Sequence, residues 1–468
     1  MAGGAPAAHI RASNIPTGGR ALWVPIALVT SLFFLWGFAY GLLDVLNKHF
    51  QNVLGLTKLE STGLQIAYFG AYIVYPPTLG GWIIRRFGYK LGIISGLVLY
   101  VVGACFFWPS AHFLSFGGFC GSTFVLACGL SMLEIAANAY ITVLGPAETA
   151  TFRLNLSQSF NGVGSFTGPL IASKAFFSGE GSKNLTSVQY VYIGIAAAVA
   201  AVAVGFYFVN LPEISDEEMQ ERAAAEGSAI AKRPLWKQYH TIAGFVAQFF
   251  YVGGQVTLAS FFINYVVEVD PSVSDAKAST YLSYSLILFT VGRFFATALL
   301  KFLKPQHILS VYAAICTIFA AVSMFLKGTG GVALYMAIFF FESCMYPTIF
   351  TMAIANLGIN TKKGTSLLIM GVGGGAIMPP IQGAIADHLD TQKSTLVPLI
   401  CYVVVLVYGL FFTQPFGLKP EERDLEMVEE SATDVEYLDQ KGQDVFVENV
   451  ESGSSPSHSP TRARLAGV

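Results

Sequence analysis

The chain has 468 residues, of which 54% are hydrophobic and only 12% charged, about half the charged share of an ordinary soluble domain. Lys plus Arg (27) nearly balance Asp plus Glu (29), and a net charge of −2 gives no reason to expect a nucleic-acid partner. Such a composition, with 47 Gly and 38 Phe, excludes a soluble globular protein and specifies a chain that crosses a bilayer many times, with glycines that let helices approach closely.

Residues 1–20 are Gly/Ala-rich and polar, and the first apolar run is long enough to cross a membrane by itself, so no cleavable signal peptide is expected. A span needs about 20 apolar residues. Windows of that size fall near 22–47, 61–84, 91–109, 113–142, 153–177 and 189–210. A polar stretch, 212–237, follows with "EISDEEMQERAAAEG" and "AKRPLWK". Six more windows lie near 239–268, 277–300, 306–327, 330–357, 363–386 and 395–416. The expected architecture is an all-α membrane protein of twelve transmembrane helices in two six-helix bundles. Its parts are a cytoplasmic segment (1–20), one bundle (21–211), a cytoplasmic linker (212–237), a second bundle (238–416) and a tail (417–468). The tail is acidic, then Ser/Pro-rich, and reads as disordered and cytoplasmic.

Short basic loops orient the chain. Arg85, Arg86 and Lys90 follow span 2, Arg153 starts span 5, Lys232, Arg233 and Lys237 lie between the halves, Lys301 and Lys304 follow span 8, and Lys362 and Lys363 follow span 10. All fall on one side of an even-numbered topology, and the opposite loops carry lysines more thinly. The positive-inside rule therefore puts both termini in the cytoplasm, with the plasma membrane as the expected location. The six cysteines, Cys105, Cys120, Cys128, Cys316, Cys344 and Cys401, are scattered through apolar runs, which suits small packing residues rather than disulfides or a metal site.

The halves resemble one another faintly. "GGWIIRRFGYKLG" after span 2 corresponds in position to "VGRFFATALLKFLKPQ" around span 8, and "GVGSFTGPLIA" in span 5 to "GVGGGAIMPPIQGAIA" in span 11. Repeated halves place a substrate path between them near the midplane. The same glycines equally serve close helix packing.

Isolated charges mark the path. A carboxylate in hydrocarbon costs at least about 2.5–3.5 kcal/mol, so it faces protein or a wet cavity and is functional by default. Glu134, in "GLSMLEIAANAYITVLG" of span 4, is the sole Asp, Glu, Lys or Arg between Lys90 and Glu148. Burial favours its protonated form, which suits proton exchange; the plainer reading is a neutral acid bonded to the next helix. Asp44 lies toward the end of span 1 in "AYGLLDVLNKHF", where Asn47, Lys48 and His49 allow the span to end early. Glu342 in span 10, in "IFFFESCMYPTIF", mirrors Glu134 and stands five residues before Pro347, at an expected kink. Asp44 and Glu134 are the expected proton-coupling pair, and Glu342 an expected substrate contact.

Uncharged polar residues extend the set. Asn138 is one turn beyond Glu134 on the same face, Gln158 and Asn161 share a face of span 5, Gln255 and Asn264 sit in span 7, and Asn356 ends span 10. Amides offer donors and an acceptor to sugar hydroxyls, although any one of them serves as well in an interhelical hydrogen bond. Phe34, Trp36, Tyr40, Tyr68 and Tyr72 offer faces for a pyranose ring, or ordinary packing. No nucleophile–base, metal-ligand or nucleotide constellation appears; "GVGGGA" lies inside span 11 with no strand before it, so an enzyme is not expected.

Four stretches carry a resemblance: "SLFFLWGFAYGLLDVLNKHFQ", "GLSMLEIAANAYITVLGP", "FRLNLSQSFNGVGS" and "YPTIFTMAIANLG…TKKGTSLLIMGVGGGAIMPP". Over most of residues 25–415 the chain resembles the L-fucose permease family of the major facilitator superfamily. The resemblance implies a proton-coupled monosaccharide symporter with twelve helices. It matches Asp44 and Glu134 to the family's coupling acids, and Gln158 and Asn161 to its span-5 amides. There are departures. Tyr40, Gly41 and Leu43 stand where bacterial fucose permeases have asparagines around the span-1 aspartate, and Ala139 replaces a proline. Glu342 stands where hexose-transporting relatives have asparagine, and Arg85 where the general facilitator motif has an acid.

The expected function is thus proton-coupled uptake of a monosaccharide, L-fucose or a related hexose, by alternating access. The alternatives are a uniporter or a symporter of another polar solute on the same fold, or a sensor that does not transport. The expected partners are the sugar, protons as the coupling ion and the lipid bilayer, with a monomer as functional unit, no nucleic acid, no metal and no organic cofactor. The topology is open to test. The sequon at Asn184 falls in the outer loop and should accept a glycan in a glycosylating host, whereas the sequon at Asn155 should stay bare. A glycan on Asn155, or labelling of the tail from outside intact cells, would overturn it.

Overall fold

A computed structural model describes residues 19–54, 63–177, 185–209, 211–214, 218–220, 234–355 and 357–412. Asn184, Lys232, Asn356 and the tail 417–468 lie outside the described residues. Asp44 lies within a described helix, but its side chain is not among those described.

The described chain is helical throughout. Before the linker come α1 (Gly19–Leu54), α2 (Gly63–Val74), α3 (Gly81–His112), α4 (Phe116–Val143), α5 (Ala150–Phe177) and α6 (Thr186–Phe208). After it come α7 (Tyr239–Ser260), α8 (Phe262–Val269), α9 (Asp275–Leu299), α10 (Pro305–Ser323), α11 (Gly328–Glu342), α12 (Met345–Ala353), α13 (Thr361–Met370), α14 (Gly374–His388) and α15 (Leu396–Val407). Among the described residues, ten stretches are long and apolar enough to cross a membrane. One of them, Gly63–His112, has 50 residues and holds two spans. It turns back at Gly88, whose φ of 79° is left-handed and suits only glycine. Span 5 falls short of the apolar threshold because Arg153, Asn155, Gln158 and Asn161 lie along α5. With both included the expected twelve are present.

Four spans are interrupted. Span 2 continues from α2 through a wide turn at Pro76–Gly80, where Tyr75 O accepts from Gly80 N at 2.9 Å because two adjacent prolines offer no amide hydrogen. Span 7 breaks at Phe261 between α7 and α8, span 10 at Ser343 and Cys344 between α11 and α12, and span 11 at Gly371–Gly373 between α13 and α14. The kink expected at Pro347 in span 10 is a full break between two helices.

The helices before the linker pack mainly among themselves, α3 on α4 and α6, and α1 on α5; those after it do likewise, α7 on α14 and α15, and α11 on α9 and α10. The halves meet through α5 with α9 and α12, α2 with α14, and α4 with α13. The two glycine runs paired by position in the sequence do the same work in each half. A Cβ on Gly164 would stand 2.2 Å from Phe34 O of α1, and a Cβ on Gly374 1.9 Å from Phe249 O of α7. Span 5 is thereby pressed on span 1 and span 11 on span 7, backbone to backbone.

Two of the basic residues that orient the chain are also structural. Arg153 is only 1% exposed; its guanidinium donates to Ile141 O (3.2 Å), Thr142 O (2.9 Å) and Pro146 O (2.7 Å), closing the C-terminal end of α4. Lys362 is buried, with its ammonium 5.5 Å from the centre of the Tyr89 ring. Asn155 is fully buried and donates to Thr151 O and Thr348 Oγ1, so its sequon is sterically closed. Four cysteines are buried; Cys105 is exposed and Cys120 half-buried.

Gly164→Ala and Gly374→Ala should each destabilise the protein by about 1–3 kcal/mol through overpacking. Gly194→Ala, with nothing within 4 Å of the new carbon, should change stability little or raise it slightly. Thermal unfolding in detergent reads the contrast; equal melting points for the three variants would refute the packing argument.

Candidate functional site

The centre of the molecule is organised by a missing amide hydrogen. Pro347 cannot donate to Ser343 O one turn back, and the helix opens there. The freed carbonyl accepts from Arg293 Nε of α9 at 2.7 Å. Glu342 O, next to the break, accepts from Tyr251 Oη of α7 at 3.0 Å, and the Glu342 carboxylate accepts from Tyr402 Oη of α15 at 2.5 Å. One turn on, Tyr346 points the other way and donates to Glu134 Oε1 of α4. That bond joins the two halves through the one acidic side chain of span 4.

Arg293 makes a second bridge. Its Nη1 donates to Gln158 O at 2.8 Å and reaches Asn161 Oδ1 at 3.5 Å, both in α5, and the guanidinium lies 4.6 Å from the centre of the Phe289 ring. Behind it the amides are chained: Gln158 Nε2 donates to Asn138 Oδ1 at 3.2 Å, and Asn161 Nδ2 to Phe33 O at 3.4 Å. At the ends where α5 begins and α12 finishes, Thr151 and Thr351 share a hydroxyl hydrogen bond of 2.9 Å, and Asn155 Nδ2 donates to Thr348 Oγ1 at 3.3 Å.

Between the halves lies a cavity of about 110 Å³. Its polar wall includes Gln158, Asn161, Gln255, Arg293, Glu342 and Tyr346; its aromatic wall includes Trp36, Tyr40, Tyr68, Phe69, Phe289 and Phe339. Trp36 is fixed by donating Nε1 to Tyr72 Oη at 2.9 Å. Several buried polar atoms here have no protein partner: Glu134 Oε2, Asn138 Nδ2, Gln158 Oε1, Glu342 Oε1 and both amide atoms of Gln248. Of these, Gln158 and Glu342 line the cavity, where a polar solute could supply the partner that a buried polar atom normally has.

Of the residues singled out in the sequence, Gln158, Asn161, Gln255 and Glu342 meet on the cavity wall, and Glu134 and Asn138 stand behind Tyr346 and Gln158. Asn264 is a correction. It lies on α8, beyond the break at Phe261, is exposed, and does not line the cavity; at about two and a half helical turns from Gln255, the spacing itself already sets it on the opposite face. Among the aromatics, Phe34 faces a separate apolar groove between α1 and α5. Sequence reasoning missed Arg293 and Tyr346. Arg293 carries the same signal as Glu134, a lone charge inside "LILFTVGRFFATALL", and is 3% exposed. Tyr346 carries none, since a tyrosine in a span is usually packing.

Residues 26–413 match the sequence profile of the Major Facilitator Superfamily. The chain belongs to that superfamily. It is 35% identical over 414 residues to the glucose/galactose transporter of Brucella abortus biovar 1 (strain 9-941), covering 86% of this chain and 96% of that one. It is 34% identical over 416 residues to the L-fucose-proton symporter of Escherichia coli (strain K12), covering 84% and 94%. Among solved structures, the facilitator transporter FucP in its outward conformation superposes with a TM-score of 0.74 at 32% identity, over 84% of this chain and 100% of that one. This chain is therefore an integral multi-pass membrane protein and not an enzyme.

Proposed function

We propose that this facilitator carries a monosaccharide, L-fucose or a related hexose, together with protons, by alternating access between its two halves. The carrying observation is the bond from Tyr346 to Glu134: a carboxyl of one half, buried behind a cavity with sugar-compatible amides, holds the other half directly. A proton on that carboxyl changes what it can accept, so protonation and separation of the halves are linked. Glu134 exchanges the proton and Asp44, on α1, assists. Gln158, Asn161, Gln255 and Glu342 hold the hydroxyls, and Trp36, Tyr40 and Tyr68 face the ring. The relatives' names, one a fucose-proton symporter and one a glucose/galactose transporter, support a sugar as cargo. With both termini cytoplasmic, the Thr151–Thr351 and Asn155–Thr348 bonds close the inner side.

One proton moving down about 100 mV and one pH unit supplies about 2.3 plus 1.4 kcal/mol. That sustains roughly several-hundred-fold accumulation of a neutral sugar. Asp44→Asn and Glu134→Gln should each lose about this factor in proteoliposomes under an imposed gradient, and at least one should retain sugar exchange across the membrane. If both concentrate sugar as the unaltered protein does, the coupling assignment is wrong. Collapse of accumulation by a protonophore separates this reading from a uniporter.

Glu342 sets which sugar is carried. Glu342→Asn should change the relative apparent affinities across a panel of monosaccharides while some sugar is still accumulated with protons. An equal loss of rate for every sugar would make Glu342 a structural hydrogen-bonding residue instead.

A further inference from the structure

Among the described side chains around the cavity there are one guanidinium, Arg293, and two carboxyls, Glu134 and Glu342, and they are not paired. Arg293 gives its hydrogens to neutral oxygens, Ser343 O, Gln158 O and Asn161 Oδ1, and among the described residues neither Glu134 nor Glu342 sits in an ion pair. Glu342 is fully buried, yet it lines the cavity. Oε2 accepts from Tyr402; Oε1 has no partner. The titratable and charged groups facing it from the packed elements are Tyr251 of α7, Arg293 of α9, Cys316 of α10, Tyr335 of α11 and Tyr402 of α15. Arg293 alone among these is charged.

Two carboxylates against one unpaired cation is an unbalanced arrangement for a space walled off from water. A proton on Oε1 of Glu342 resolves it locally. Oε2 keeps the phenol of Tyr402, and the new O–H needs only an acceptor, which a sugar oxygen in the cavity that Glu342 lines would supply. Ionised, the same oxygen needs a donor that the protein does not provide. Glu134 also has one oxygen on a tyrosine, Tyr346 of the opposite half, but it has Tyr72 and Asn138 of its own half beside it as well.

We propose that Glu342 is a second proton-exchanging group, so that each half of the carrier takes up and releases one proton per cycle. The proton binds Oε1 from solution on the side where the cavity opens and leaves as a free proton on the other side; no other bond forms or breaks. This rests on the reading of the chain as a proton-coupled sugar carrier and adds to it a site on the C-terminal half.

The test is the steady-state accumulation of labelled sugar in proteoliposomes, with the membrane potential held at zero by potassium and valinomycin and the pH gradient varied. The logarithm of the accumulation ratio plotted against the pH difference should have a slope of about two in the unaltered protein, or about 100-fold per pH unit. Glu342→Gln should lower the slope to about one, about 10-fold per pH unit, whatever it does to the rate. Tyr402→Phe keeps the carboxyl and should keep the slope near two. A slope of one in the unaltered protein overturns the proposal while leaving proton coupling intact. A slope of zero overturns the symporter reading itself. A slope of two that Glu342→Gln leaves unchanged also overturns the proposal, and leaves Glu342 as a sugar contact or a structural residue. Should Glu342→Gln fail to insert, the slope of the unaltered protein and the infrared carboxyl band lost or shifted on sugar binding in Tyr402→Phe decide the matter: no shift counts against the proposal.

Discussion

The central architecture depends on the imino nitrogen of Pro347. Without an amide hydrogen it leaves Ser343 O unclaimed in the middle of a span, and an unsatisfied carbonyl in a low-dielectric interior is costly. Arg293 fills that vacancy from α9 and, because its guanidinium has several donors, reaches α5 with the rest. The break it stabilises also lets Glu342 and Tyr346, four residues apart, serve different neighbours: Glu342 is gripped by Tyr251 and Tyr402 within its own half, while Tyr346 reaches Glu134 in the other. One local backbone defect therefore positions a cation, a carboxyl and a phenol around a single cavity.

The contacts within a half and those between the halves differ in kind. Within a half, helices touch through glycine, as at Gly164 on Phe34 and Gly374 on Phe249, with no side chain between the backbones. Such contacts either fit or fail, and they keep each half rigid. Between halves there are hydrogen bonds, Tyr346 to Glu134, Arg293 to Gln158, Thr151 with Thr351 and Asn155 to Thr348, and where glycine approaches the other half, as Gly373 on Ile73 and Gly375 on Phe69, it meets a side chain rather than backbone. Each of the hydrogen-bonding groups is satisfied equally well by water or by a hydroxylic solute, so their exchange during opening costs little net energy. A rigid pair of bundles joined by exchangeable polar bonds is what alternating access requires.

The linker contributes at one end. Glu213 accepts from Tyr89 N at 3.0 Å and Lys90 N at 2.7 Å, which caps the helix restarted after Gly88, and the left-handed glycine leaves room for the carboxylate. Gln220 Oε1 accepts from Ile359 N in the other half at 3.3 Å. The acid missing from the motif after span 2, where Arg85 stands, is thus not replaced within the motif; the capping carboxylate of the next helix comes from the segment after span 6.

The sequence by itself determined the class, the number of spans, the repeat and the membrane-buried acids, because apolar run length and lone charges are local and period-independent signals. It also pointed to the shared face of Gln158 and Asn161, since helical spacing puts residues three apart together. What it could not decide is which helices meet. Arg293 was legible as a lone cation, but that its donors go to a proline-freed carbonyl and to α5 follows only from the packing of α9. Tyr346 had no signal at all, because a phenol in a span becomes functional only when an acid from another helix lies within reach. Asn264 had the right residue type and the wrong place, and its spacing already said so: about two and a half helical turns from Gln255 is the opposite face. Long-range proximity is set by the way glycine-lined surfaces and broken helices fit together, and no residue's own identity or spacing records that fit.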